Sequence, residues 1–184
     1  LDLALRCGQS DEVVAINGAI PFDPSSELNL QVESHGDALN PLAALSGGSV
    51  KIQSGRSDLR LMLRGSLNQP VANGFVVVSD GNITLGEQSV SRINASMLFD
   101  FDRVELQRLE AQMGSEGILR GAGSIALLQE QKVESPLTFA LTKVKIQQEI
   151  ARYQADGTLI VKGALARPTI GGELSLSNGL ITPR

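Results

Sequence analysis

A glycine-rich stretch in the second half of the sequence has the spacing of a dinucleotide-binding loop. Gly121, Gly123 and Ala126 match the pattern G-x-G-x-x-A. In nucleotide-binding folds this loop follows a strand and opens a helix, with an acidic residue about twenty positions further on. Here the next residues, SIALLQE, continue a strand-like pattern, and no acidic residue stands at that distance. The sequence therefore does not support a nucleotide site.

Titratable side chains supply two further candidates, each with a plain structural alternative. Asp100 and Asp102 would face the same side of a strand roughly 7 Å apart, a spacing suited to acid and base chemistry or to Ca²⁺. The alternative is a solvated outer face opposite Phe99 and Phe101. His35, the only histidine, has no nucleophile pattern near it and is expected in an exposed polar turn. We therefore predict no enzyme and assign no catalytic residue, metal or cofactor.

Composition and charge exclude several classes of protein. The 184 residues carry a net charge of −4 with scattered Lys and Arg, so the basic surface that nucleic acids require is missing. Cys7 is the single cysteine, which excludes an intrachain disulfide. No stretch reaches the roughly 20 apolar residues of a membrane-spanning helix. Nineteen glycines, with five Phe, one Tyr and no Trp, favour short strands joined by tight turns.

Apolar and polar residues alternate along most of the chain, which indicates strands with one apolar face. Between Leu141 and Val144 the alternation slips by one residue, so we expect a bulge or a turn there. The apolar residues of these rows would line a groove. They are Val50, Ile52, Leu59, Leu61, Leu63, Ile83, Leu85, Ile93, Met97, Phe99, Phe101, Leu137, Phe139, Leu141, Val144, Ile146, Leu159, Val161, Leu174 and Leu176.

Turn and helix signals complete the prediction of secondary structure. Asp80-Gly81 and Asn178-Gly179 suit positive φ, and we expect a tight hairpin at each. The one expected helix is a short segment from Asp37 to Leu45. The prediction is therefore an all-β protein, mainly an antiparallel meander.

Residues 63–84 and 161–182 align with each other without a gap. The matches fall on residues that punctuate strands and turns, including Gly74 with Gly172 and Pro70 with Pro168. A repeated strand unit with one apolar face has to stack on its neighbours, so we expect an elongated architecture. The alternation alone would also fit a β-sandwich, in which a second sheet covers the apolar rows. The repeat supplies no separate covering strands, which favours an open groove.

The repeat resembles the C-terminal region of TamB-like proteins of the AsmA-like superfamily, especially their cyanobacterial and plastid relatives. The segment VKGALARPTIGGELSLSNGLI, residues 161–181, follows the pattern of the family's repeats. The turn from Gly36 to Leu42 matches the turn that precedes such repeats. The likeness runs from about Ile16 to the end of the chain.

The resemblance implies a curved, taco-like sheet with an apolar concave groove. It also implies a periplasmic location, a longer parent protein anchored in the inner membrane, and an Omp85-type outer-membrane barrel protein as partner. In plastids the corresponding role would be a bridge between two envelope membranes during protein import. We interpret residues 1–184, which begin at Leu1 without Met, as one unit of such a parent.

Two functions follow from this resemblance. The groove would carry phospholipid or other apolar chains between the two membranes and support outer-membrane protein assembly or translocation. Area burial alone would hold the chains, without a cofactor. The alternative is a scaffold that binds a strand of a client or barrel protein by β-augmentation.

Overall fold

Strands form along most of the chain because apolar side chains alternate with polar ones and pack side by side on a pleated surface. The computed structural model describes residues 2–6, 13–20, 23, 25–36, 50–66, 68–128, 133–148 and 151–181. Every regular element within these ranges is a strand. The all-β prediction is therefore confirmed.

Eleven strands account for the described elements. They are β1 (Asp2–Arg6), β2 (Val13–Ala19), β3 (Leu28–Gly36), β4 (Val50–Gly65), β5 (Pro70–Leu85), β6 (Gln88–Phe101), β7 (Arg103–Met113), β8 (Gly117–Ala126), β9 (Leu137–Gln148), β10 (Ala151–Ala164) and β11 (Arg167–Ile181).

One sheet contains all of these strands, in the order in which they follow along the chain. Successive strands pair antiparallel, as short hairpin connections require. Among the described residues β1 forms one edge and β11 the other, so the sheet is not closed. The predicted meander is confirmed, and the two-sheet sandwich is wrong for this part of the chain.

The sheet curves toward one of its faces. Val90, Val104, Ile125 and Val144 are buried, although no second layer covers the described sheet. The pairing register places all four on the same face. Among the described residues, only other side chains of that face are available to cover them, which requires curvature. This agrees with the predicted taco-like sheet.

The expected hairpins at Asp80-Gly81 and Asn178-Gly179 are wrong. Both dipeptides lie inside long strands, β5 and β11, where Asp80 and Asn178 each have a φ of 52°. The pairing register shifts on both sides of Gly81, so the positive φ serves a β-bulge instead of a turn. The slip expected between Leu141 and Val144 is confirmed as a bulge within β9.

Gly74 and Gly172, which align in the sequence repeat, occupy equivalent backbone positions. Their φ values are 151° and 140°. Gly74 lies opposite Leu61 and Gly172 opposite Leu159. The prolines pair in the same manner, Pro70 with Gly65 and Pro168 with Gly163.

One sequence prediction, the short helix from Asp37 to Leu45, falls on residues that the structure does not describe. Within the described ranges, no helix has the length and apolar character needed to cross a bilayer.

Candidate functional site

Strand pairing sorts the side chains of the sheet into two faces. Residues directly opposite each other in an antiparallel pair lie on the same face, and neighbours along a strand alternate between faces. We call the face that carries Leu61, Phe99, Phe139 and Leu159 the inner face, and the opposite one the outer face. The register from β4 to β11 places every residue of the predicted groove on the inner face.

The inner face also contains apolar residues that the sequence analysis missed. Among them are Leu28, Leu30, Val32, Val76, Val78, Val90, Val104, Leu106, Leu109, Ala111, Met113, Leu119, Ile125 and Ile170. Their alternation was the available signal. In β7 that signal is broken between Leu106 and Leu109, where the register shifts.

Bulges keep the inner face apolar where the sequence pattern slips. Four pairs of inner-face residues are three positions apart: Val78 and Gly81, Val90 and Ile93, Leu106 and Leu109, and Leu141 and Val144. One extra residue in each strand brings both members of a pair to the same face. In three of the bulges a residue with positive φ stands between them: Asp80 at 52°, Arg92 at 51° and Lys143 at 51°.

Two asparagines bind the facing bulges of β5 and β6 together. Asn82 donates from Nδ2 to the carbonyl oxygen of Asp80 (3.0 Å), and its Oδ1 accepts the Arg92 backbone N–H (3.3 Å). Asn94 mirrors it, donating to the Arg92 carbonyl oxygen (3.1 Å) and accepting from the Asp80 N–H (3.2 Å). Side chains thus satisfy backbone groups that the bulges remove from the strand ladder.

Asp156 has the same role at the bulge of β9. Its Oδ1 accepts the backbone N–H of Lys143 at 2.7 Å, and its Oδ2 accepts from Nε2 of Gln154 at 3.0 Å. These bonds, first that from Gln154 and then that from Lys143, lower the pKa of Asp156 below its ordinary value of 3.8. The carboxylate is therefore favoured in the folded state.

Charged side chains keep to the outer face. In β3 to β11, every described Asp, Glu, Lys and Arg side chain lies on the outer face or at a bulge or turn. Several of them pair there, for example Arg60 with Glu33 (Nε to Oε1, 3.0 Å). Such exposed pairs add little stability. Because none of these charged side chains lies on the inner face, the inner face of β3 to β11 carries no charge among the described residues.

Glycines on the inner face make room for large neighbours. A β-carbon at Gly121 would stand 2.7 Å from Cδ1 of Phe139 and 3.2 Å from Cδ2 of Leu106. The Phe139 ring therefore lies over the backbone of β8. Large side chains lie close to the sheet in this way, so the inner face can curve without overcrowding.

The inner face is most open at its last strand. Ile170, Leu174 and Leu176 of β11 are 67%, 46% and 62% exposed. In contrast, Val144 of β9 and Ala155 of β10 are fully buried. The apolar surface therefore reaches solvent along β11.

The catalytic candidates do not assemble into a site. His35 lies in β3 and not in the expected turn, because residues up to Gly36 pair with β4. Its Nδ1 is 3.1 Å from Oδ1 of Asp58, and both side chains are exposed. Asp102 lies in the turn after β6, so the expected placement of Asp100 and Asp102 on one strand is wrong.

Metal and nucleotide sites have no geometry in the described ranges. These ranges hold no group of three or more His, Cys, Asp or Glu side chains that could bind a metal ion. The G-x-G-x-x-A stretch, residues 121–126, lies inside β8 and leads into a bend at residues 127 and 128. A nucleotide-binding loop would lead into a helix instead.

An open single sheet with one uncharged apolar face defines the protein as an elongated β module rather than a closed globular domain. The family model described as the TamB C-terminal domain matches residues 107–184, from within β7 onward. The match covers less than half of the chain; it supports a TamB-like protein and agrees with the resemblance seen in the repeat, whereas the cyanobacterial and plastid branch stays a prediction. Comparisons with curated proteins and with solved structures gave no match.

The family defines a coarse function. TamB proteins are non-enzymatic modules involved in outer-membrane protein assembly or transport. They span the periplasm of the cell envelope, which supports a periplasmic location for this chain.

Proposed function

We propose that the inner face carries phospholipid or other apolar chains between the inner and outer membranes and thereby supports outer-membrane protein assembly or translocation. The observation that carries this proposal is the separation of charge between the two faces of an uncovered sheet. Acyl chains would be held by area burial at about 25 cal/mol per Å², without recognition of the head group. No catalytic residue or cofactor takes part.

The parent protein, in this proposal, is anchored in the inner membrane and meets an Omp85-type barrel protein at the outer membrane. In a plastid the same arrangement would occupy the intermembrane space. The meander supports this role because successive strands add length across the sheet. At about 4.8 Å per strand, eleven strands extend the inner face by roughly 48 Å.

Loading of a photo-crosslinkable phospholipid tests the proposal. Phe99→Asp places a carboxylate on the inner face, where it is costly to desolvate beneath an acyl chain, so we expect loading to fall at least about tenfold. The protein should still fold, because the open inner face lets the carboxylate reach water. Thermal melts check this point.

Matched controls lie on the outer face of the neighbouring strand and of the same strand. Phe75→Asp makes the same substitution on β5, where Phe75 is 38% exposed opposite Leu98. Asp100→Ala removes an outer-face carboxylate next to Phe99. Both variants should load lipid as the wild type does. Undiminished loading in a folded Phe99→Asp protein would remove the proposal, and an unfolded one would indicate a packed core.

A second candidate function is a scaffold that receives a partner strand along β11. Within the described residues β11 pairs with β10 alone, and its side chains from Arg167 to Gly179 are all exposed. A long unpaired edge is a template for β-augmentation by a client or a barrel strand. A photo-crosslinker at Ser175 of β11 should then capture the barrel protein. The same probe at Ser96, on the central strand β6, should not.

A further inference from the structure

The hairpin of β10 and β11 repeats the pairing register of β4 and β5. The equivalent pairs are Leu61 with Gly74 and Leu159 with Gly172, Arg56 with Ser79 and Gln154 with Ser177, and Ser54 with Asn82 and Arg152 with Leu180. The register shift near the bulge is thus preserved as well. Asp80 and Asn178, at equivalent places in the two bulges, both have a φ of 52°. β11 is therefore a structural copy of β5 over almost its full length.

The two strands differ in their second edge. β5 pairs there with β6, whereas within the described residues β11 pairs with β10 alone. Ala72 of β5, opposite Phe101, is 1% exposed, and the equivalent Ile170 of β11 is 67% exposed. A strand that lies on β11 as β6 lies on β5 would cover this surface. The pair of β5 and β6 therefore serves as the template for the occupant of the β11 edge.

The bulge of β11 sets a first requirement for this occupant. On β5 the Asp80 N–H donates to Oδ1 of Asn94, which lies on β6 (3.2 Å). The same register and the same φ direct the N–H of Asn178 toward the second edge of β11. The occupant therefore needs a side-chain acceptor at the position that Asn94 has in β6.

Gly172 sets a second requirement. On β5 the equivalent Gly74 lies opposite Phe99 of β6, and Gly121 of β8 likewise lies opposite Phe139 of β9. An aromatic ring can cover a glycine of a neighbouring strand, because no side chain of the glycine competes for the space. The template thus places an aromatic side chain opposite Gly172.

Glu173 distinguishes the edge of β11 from that of β5. Its equivalent on β5 is Phe75, which lies opposite Leu98. Glu173 is exposed, and its neighbour across the ladder on β10 is the uncharged Thr158. Opposite charges on directly facing residues stabilise a strand pair. A basic side chain next to the aromatic one would supply the charge that faces Glu173.

We propose that the edge of β11 binds an antiparallel strand of another polypeptide with alternating apolar side chains, an aromatic one opposite Gly172 and a basic one opposite Glu173. This inference rests on the scaffold function proposed above and names the strand that the scaffold takes. A second copy of the chain does not meet the requirements. When two β11 strands pair antiparallel along their whole length, Glu173 faces Ser175 and Asn178 faces Ile170. β1, with five residues, is too short to cover β11.

A labelled peptide with the sequence of residues 88–101 and the substitution Leu98→Lys tests the proposal. It carries the acceptor, the aromatic and the basic side chain in the spacing of β6. Fluorescence anisotropy should show saturable binding to the wild-type protein. A photo-crosslinker at Ser175 of β11 should react with the peptide, whereas one at Ser96 of β6 should not. The absence of saturable binding, or reaction at Ser96 alone, would overturn the proposal.

Charge reversal tests the basic position. The Glu173→Lys protein should bind the Leu98→Lys peptide about threefold more weakly than the wild type does, and it should prefer a Leu98→Glu peptide. Glu105→Lys, on the outer face of β7, makes the same change in net charge away from the edge. This control should keep the wild-type preference. If the wild type and Glu173→Lys prefer the same peptide, no basic side chain faces Glu173.

Substitutions within the peptide test the other two positions. Phe99→Ala removes the ring opposite Gly172 and should weaken binding at least about tenfold. Phe101→Ala removes the same side chain opposite Ile170 and should weaken binding only about threefold. Asn94→Ala, which removes the acceptor, should weaken binding about fivefold. Equal losses for the two phenylalanines, or no loss for Asn94→Ala, would contradict the β6 template.

The failure of this proposal and that of the scaffold function are distinguishable. Capture of the barrel protein at Ser175 without binding of the peptide would support the scaffold and contradict the strand pattern proposed for its partner. Binding of the peptide without capture of the barrel protein would support the strand pattern and remove the barrel as the partner. A protein with the mass of two chains, crosslinked from β11 to β11, would show a second copy on this edge and contradict the proposal.

Discussion

Single polar side chains fix the bulges on which the apolar inner face depends. Asn82 and Asn94 each bond to backbone groups of Asp80 and Arg92, on their own strand and on the neighbouring one. Each asparagine thus stabilises the other's bulge as well as its own. The sequence alone gives no sign of this role, because the partners of the two asparagines come together only through strand pairing.

Removing these asparagines should destabilise the protein in a coupled manner. We expect Asn82→Ala and Asn94→Ala each to lower the free energy of unfolding by about 1 kcal/mol, since backbone groups lose their partners. The double variant should lose less than the sum, because the two sets of bonds support the same pair of bulges. Urea unfolding measures all three. Asn73→Ala, on the same strand as Asn82, should cost no more than about 0.5 kcal/mol. Additive losses would contradict the mutual arrangement.

Asp156 should make stability depend on acidity. Because its pKa in the folded state lies below the ordinary value of 3.8, its contribution is complete above that pH and is lost as the pH falls through the lowered pKa. The melting temperature should therefore drop on acidification below pH 3.8. Asp156→Asn keeps an acceptor but cannot titrate, so its drop should be smaller. Glu173→Gln, on the neighbouring strand, is the control, and an identical acid drop in all three proteins would contradict the role of Asp156.

At the scale of the strand, glycines with positive φ determine where neighbouring backbones approach each other. A β-carbon at Gly74 would stand 2.0 Å from the Arg60 carbonyl oxygen, and one at Gly172 would stand 2.1 Å from that of Thr158. Both contacts are with backbone, which has little freedom to move aside. Gly171, next to Gly172, has no atom within 4 Å of the equivalent position.

The adjacent glycines of β11 therefore provide a matched test. We expect Gly172→Ala and Gly74→Ala each to lower the free energy of unfolding by more than about 2 kcal/mol, from backbone strain and overlap. Gly171→Ala should change it by no more than about 0.5 kcal/mol. Denaturant unfolding measures the three values. A Gly171→Ala protein as unstable as Gly172→Ala would show that strand propensity, and not the close approach, decides the cost.

The alternation in the sequence was sufficient to predict the strands and the inner-face rows, because a period of two reports which side chains share a face. It misled at Asp80-Gly81 and Asn178-Gly179, since a dipeptide that suits positive φ serves a hairpin or a bulge equally well. The choice depends on whether pairing continues past the dipeptide, as it does in β5 and β11. The slips from Val90 to Ile93 and from Leu106 to Leu109 held the same information, because apolar residues three apart mark a bulge.

At the scale of the whole molecule, the surface area reflects the open sheet. The chain exposes 11728 Å², whereas a folded monomer of 19.5 kDa typically exposes about 8,500 Å². A single layer leaves both of its faces accessible, so the excess is expected. The exposed apolar side chains of β11 place part of this surface at one edge of the sheet.

Solution scattering should therefore give a radius of gyration well above that of a compact domain. A compact chain of 184 residues has a radius of about 16 Å. A flat sheet of eleven strands, roughly 48 Å across with strands up to about 53 Å long, would have a radius of about 21 Å. Curvature toward the inner face should place the measured value between these limits. The molecular mass measured in the same experiment must be that of one chain. A dimer in which a second copy covers the inner face would also have a larger radius of gyration, but because of its greater size. A monomer at about 16 Å would mean that the sheet closes on itself in solution, and it would leave no open face for an apolar chain.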